Sequence, residues 1–176
     1  MRLVAILLLA LALPAWAGDW RDADWGMPMR ELRLRFALDP TDEPTRFLAP
    51  VETIAGVRFQ VVLEVGGKPP GLAKVEMIST ELLSSFRDEE FQRLLRLLDD
   101  HYGGRVRAQL PEPEVKVGKL WSLNREVVWG RGRTEVALIY FYANLFAEGR
   151  WGWGSDVLAV TFKPRPTEVQ QGPEDE

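Results

Sequence analysis

The sequence has no cysteine and a single histidine, His101, among its 176 residues. Without cysteine there is no disulfide framework, no thiol nucleophile and no cysteine to carry a lipid anchor. With one histidine and no cysteine, zinc and haem sites of the usual kinds are not indicated. His101 stands in "DDHYGG", at the end of a helical pattern, where a cation would complement the helix C-terminus. Nothing in the sequence pairs it with a serine, and neither a G-x-S-x-G elbow nor a phosphate-binding glycine loop is present. A basic block is missing too. Lys and Arg number 22 against 26 Asp and Glu, a formal net charge of −4, so nucleic acid and anionic membrane are not indicated as partners.

Long apolar runs are equally scarce. The one at the N-terminus, Leu3 to Leu13 in "MRLVAILLLALALPAWA", is too short for a permanent bilayer span. Arg2 precedes it, and Ala15-Trp16-Ala17 ends it in a small-x-small pattern. That combination predicts a signal peptide, residues 1–17, cleaved after Ala17. Export without cysteine suits a bacterial periplasm, with no stable membrane anchor after cleavage. Removal of Arg2 with the leader takes the charge from −4 to −5 and leaves residues 18–176. That length suits one domain or two small, closely packed halves.

Along the remaining chain, Pro28 suits a first helical turn. Met29, Leu32 and Phe36 follow at helical spacing, predicting a short helix over about 28–35; the alternation Leu32, Leu34, Phe36, Leu38 is the competing strand pattern. "DPTDEP" (39–44) is a proline-bearing loop. Three sequential antiparallel strands follow: "APVETIAG", then Val57 to Val65, whose odd positions are all apolar, then Ala73, Val75 and Met77 after the turn "GGKPPG". The long helix is the clearest helical pattern. Ser85 and Asp88 resemble a capping box; Phe91, Leu94, Leu95, Leu98 and Tyr102 form one apolar stripe; Gly103 is the stop.

After the loop "PEPE" (111–114) comes a second β block: "KLWSL", "REVVWG", "RTEVALIYFY" and "DVLAVTF". "GRGR" (130–133) is its turn. The third strand is apolar in both registers from Ala137 on, which predicts a central strand covered on both faces. The segment from Lys163 onward has few apolar residues and three prolines, and reads as a disordered acidic tail over 164–176. The expected architecture is therefore α+β. It has one antiparallel sheet of about six to seven strands, with a short N-terminal helix and one long helix on one face. A single domain over 18–163 would contain two α-βββ halves, about 18–80 and 81–163.

The remaining candidates for chemistry are carboxylates and tryptophans. "DADWG" around Asp22 and Asp24 is faintly like a calcium loop, but lacks the third oxygen ligand, and Arg33 stands where the distal Glu would fall. Asp99-Asp100 and Glu112/Glu114 read as solvated surface. No catalytic residue, metal ligand or cofactor is indicated. Of the six tryptophans after the leader, Trp121 and Trp129 sit in strand patterns, while Trp20 and Trp25 flank the first helix, where Trp25 can staple it to the sheet. Trp151 and Trp153, in "EGRWGWGSD", form the one candidate ligand platform, with Arg150 and Asp156 as polar partners. On an extended segment the two rings share a face.

"DWRDADWGMPMREL" resembles the opening of a broad class of exported bacterial domains, in which a W-G segment leads into a short helix. The resemblance continues through "IAGVRFQVVLEV", "GLAKVEMIS", the helix ending in "YGG" and "VVWGRGRTEVALIY". The helix-then-strands order is also similar to the β-lactamase-inhibitor-protein-like architecture of small outer-membrane assembly lipoproteins. This chain departs from those in having no cysteine to lipidate. The resemblance implies no catalytic residues. The export signal, the sheet-plus-helix domain and the lack of a catalytic set point to an exported interaction module whose partner is another envelope protein, the alternative being a carbohydrate or small-ligand module built on the Trp151/Trp153 loop.

Overall fold

A computed structural model describes the backbone of residues 20–80, 88–112, 114–116, 119–143, 146–147, 150–151 and 155–166, and the side chains of 20–80, 88–112, 122–143 and 156–166. Ser85, the segment 167–176 and residues 1–19, which include the expected signal peptide, lie outside these residues. In chain order the elements are α1 (Met29–Arg35), β1 (Asp39–Pro40), β2 (Arg46–Ile54), β3 (Val57–Gly66), β4 (Gly71–Ser79) and α2 (Asp88–Tyr102). Then follow β5 (Arg105–Gln109), β6 (Glu114–Lys116), β7 (Lys119–Arg131), β8 (Thr134–Ala143), β9 (Phe146–Ala147), β10 (Arg150–Trp151) and β11 (Ser155–Pro164).

All pairings are antiparallel, and the main sheet runs β1-β2-β3-β4-β11-β8-β7-β5, with β6 also on β7. Each helix is followed by a meander, and the last strands of the two meanders, β4 and β11, pair antiparallel through Ile78↔Ala159 and Val75↔Phe162. The two helix-plus-meander units thus share one sheet.

Several boundaries differ from expectation, each for a local reason. "KLWSL" and "REVVWG" are one strand, the 13-residue β7. The residue left between them is the exposed Asn124; the next, Arg125, pairs with Asp88 and lies over the Phe91 ring, 5.4 Å from its centroid. Of the extra strands, β1 and β6 are too short to show a pattern, and in β5 Val106 and Ala108 alternate with Arg105, Arg107 and Gln109. All five residues of β5 are exposed, so backbone pairing alone holds that edge strand. In β4 a register shift opposite Glu64/Val65 makes Ala73 the extra residue, so that Leu72, not Ala73, is buried beside Val75 and Met77. β11 runs on to Pro164, opposite Thr134, and Arg165 N–H donates to the Arg133 carbonyl at 2.7 Å.

One face of the sheet carries the core. Phe59, Val61, Leu63, Met77, Val136, Leu138, Tyr140, Val127, Trp129, Leu158, Val160 and Phe162 are buried there with Leu32 of α1 and Phe91, Leu94, Leu95 and Leu98 of α2. Helix α2 lies along β7 and is tied at both ends. Asp88 pairs with Arg125, Asp99 accepts from Trp129 Nε1 at 2.9 Å, and the His101 carbonyl accepts from Arg131 at 2.7 Å. Thirteen helical residues rise about 20 Å and six strand residues about the same, which is why both ends meet. The N-terminal strap crosses the other unit: Gly26 N–H donates to Leu72 O and Leu72 N–H to Met27 O, both at 2.9 Å. Trp25 Nε1 donates to the buried Thr134 hydroxyl at 3.0 Å, which is the staple expected of it.

The expectation that β8 is covered on both faces is corrected. It is central, between β11 and β7, but both helices lie on the core side. Its other register is buried at Ala137, half-buried at Ile139 and open at Phe141, 38% exposed.

Candidate functional site

Arg150 and Trp151 form β10, paired with β9 through Arg150↔Ala147 and Trp151↔Phe146. This short ladder sits in the connection between β8 and β11, at the tip of their hairpin. Trp153 and the orientation of both rings lie outside the described residues. Asp156 is opposite Tyr142, in the register of Leu158 and Val160, so it stands on the helix-covered side of the sheet with its carboxylate oxygens shielded from solvent.

The carboxylates and the histidine have structural surroundings. Asp99 receives Arg105 Nε at 2.9 Å and Nη2 at 2.6 Å as well as the Trp129 indole; the Arg105 bond holds its carboxyl below the usual range. The backbone carbonyl of Asp22 accepts from Arg35, and that of Asp24 from Met27 N–H at 3.0 Å. Among the described residues no three His, Cys, Asp or Glu converge as a metal site, and no helix is long and apolar enough to cross a membrane.

The cation at the end of α2 is Arg131, not His101. Burial pushes the His101 imidazole below its usual pKa and the Arg131 guanidinium adds to the effect, so the ring is neutral at pH 7. Between its lowered folded value and about 6.5 the unfolded chain binds more protons, so stability falls as pH falls through that window, and is untouched above it. Because the chain has one histidine, its ring protons can be titrated by NMR without ambiguity. The midpoint is expected below 6.5 and should move up in Arg131→Met. A midpoint at or above 6.5 in the parent would contradict this placement.

The feature missed in the sequence is the uncovered face. Its registers are continuous across the sheet. One row runs Leu48, Val62, Glu76, Thr161, Ala137, Val128 and Arg107, and the next runs Gln60, Ile78, Ala159, Ile139, Glu126 and Gln109. A third sets Phe141 between Val157 and Asn124. Phe141 and Val157, 38% and 37% exposed, are the open end of an apolar strip that continues through Ile139 and Ala159. Beside it lies a concavity of about 400 Å³, floored by Ala137, Ile139 and Thr161 and walled by Lys74, Glu76, Glu126, Glu135 and Lys163. These walls are already ion-paired: Lys163 to Glu135 at 2.9 Å, Arg46 to Glu76 at 2.8 Å, Arg107 to Glu126 at 2.9 Å, and Lys74 to Glu76. The signal was legible in the double apolar register of "ALIYF", whose second register is buried at Ala137, half-buried at Ile139 and exposed at Phe141.

The described geometry defines an α+β domain with one helix-covered and one open sheet face, the open face apolar at its centre and charge-balanced at its rim. No protein-family model, curated protein or solved structure matches the chain.

Proposed function

We propose that the chain is a non-enzymatic, exported protein-interaction module of the bacterial cell envelope, and that the open face of its sheet is the surface that binds. The carrying observation is the Phe141–Val157 pair, exposed side by side on two inner strands of an antiparallel sheet. An apolar patch rimmed by polar residues is the usual mark of a protein interface. The rim supports a protein partner over a charged small ligand, because its cations and carboxylates already neutralise one another and leave no strong field of one sign. The export part of the reading rests on the leader sequence and on the resemblance to exported domains.

A photo-cross-linking amino acid placed at Val157, and as a control at Leu34, tests it in living cells. Leu34 is 81% exposed but belongs to α1 on the opposite side of the sheet. Discrete protein adducts are expected from position 157 and only background from 34. Equal yields from both positions would remove the open face as the binding surface.

A further inference from the structure

The ladder between β8 and β11 indicates which partner fits. On the open side four cross-strand pairs with described side chains straddle one seam: Phe141 with Val157, Ile139 with Ala159, Ala137 with Thr161, and Glu135 with Lys163. In the first two the larger side chain stands on β8 and the smaller on β11; in the third the order is reversed. In the fourth the carboxylate stands on β8 and the ammonium on β11. Each pair is therefore complementary to its own reversal.

We propose that the open face binds a second copy of the chain, with a two-fold axis running along the β8–β11 seam in the plane of contact. This inference rests on the reading of the face as an interaction surface and names its occupant. Rotation about that axis lays β8 of one copy over β11 of the other. Phe141 then meets the other copy's Val157, and Ile139 meets its Ala159, large on small, as two packed sheets require. Lys163 meets the other copy's Glu135 while keeping its own, so four charges alternate in sign around the axis. Such an isologous contact is the commonest form of protein dimer. It also gives the half-exposed phenylalanine the burial that the monomer withholds from it.

Sedimentation of the purified product of the full-length sequence, across a concentration series, tests the proposal. The parent is expected to show a reversible monomer–dimer equilibrium. Glu135→Lys sets lysine against lysine at both contacts, and Lys163→Glu sets glutamate against glutamate; each alone should weaken self-association by about tenfold or more. An equimolar mixture of the two variants restores both opposite-charge contacts and should form a heterodimer. Circular dichroism shows whether each variant is folded, and Val157→Glu replaces any that is not, with loss of the dimer as its expected result. A parent that stays monomeric at the highest concentrations reachable, or a mixture that does not associate better than its components, overturns the two-fold contact. If the parent is monomeric while position 157 still cross-links to another protein, only the second copy is lost. If Val157 also gives no adduct, the open-face reading falls with it.

Discussion

Replacing Gly71 with alanine should lower stability by about 3 kcal/mol or more, a drop in melting temperature on the order of 10 °C for a domain of this size. Gly71 opens β4 where the N-terminal strap crosses it. A methyl group there would lie 2.5 Å from the carbonyl carbon of Gly26 and 2.7 Å from its Cα, and closer still to its oxygen. Backbone cannot swing aside as a side chain can. Moving the strap away would break the two 2.9 Å hydrogen bonds that join it to Leu72, each worth about 1 kcal/mol. It would also loosen Trp20, 1% exposed, and the Trp25 bond to Thr134. Gly26→Ala is the internal control. That residue has φ +85° but nothing within 4 Å of an added Cβ, so its cost is the left-handed conformation alone, about 1 kcal/mol. Thermal melts of the two variants should therefore separate clearly. A Gly71→Ala melt no lower than that of Gly26→Ala would mean that the strap does not pack as described.

The sequence announced what burial enforces and was silent where burial does not act. β3 was plain because every second residue from Val57 to Val65 faces the core. α2 was plain because Phe91, Leu94, Leu95 and Leu98 all do, and because Gly103, φ +80°, donates its N–H back to Asp99 at 2.9 Å. The edge strand β5 has no such constraint: Val106 and Ala108 alternate with polar residues, yet all five residues are exposed. Within β7, Arg125 holds a core-side position by pairing with Asp88, a contact 37 residues distant that periodicity cannot register. The open face was hidden by a different ambiguity. An apolar residue at every position of a strand is the same signal whether the second face is covered within the chain or by a partner. For Trp151 and Trp153 the sequence placed the connection correctly between β8 and β11, and the structure adds the short β9–β10 ladder. Asp156 stands opposite Tyr142 in β11, on the helix-covered side of the sheet.

The deepest tie between α2 and the sheet is Trp129, and its removal should rival the loss of Gly71. The indole is fully buried, and its N–H reaches across from β7 to Asp99 on the last turn of the helix at 2.9 Å. Trp129→Ala empties a fully buried indole site and should cost about 3–5 kcal/mol. Trp129→Phe keeps most of the packing and loses one hydrogen bond to a charged group, about 1.5–3 kcal/mol. Asp99 is not stranded by either change, because Arg105 still holds both of its oxygens. This partnership fixes the acid response. The carboxyl is held below its ordinary pKa, first by Arg105 and then in part by Trp129. The folded state therefore binds that proton less readily than the unfolded chain. Its contribution is complete above the ordinary carboxylate range and is lost as pH falls through the lowered folded value. Urea unfolding at neutral pH should rank parent, Trp129→Phe and Trp129→Ala in that order. The gap between parent and Trp129→Phe should narrow when the same measurement is made in acid, because protonating Asp99 weakens the bond that the phenylalanine lacks. A gap unchanged by acid would show that the indole acts through packing alone.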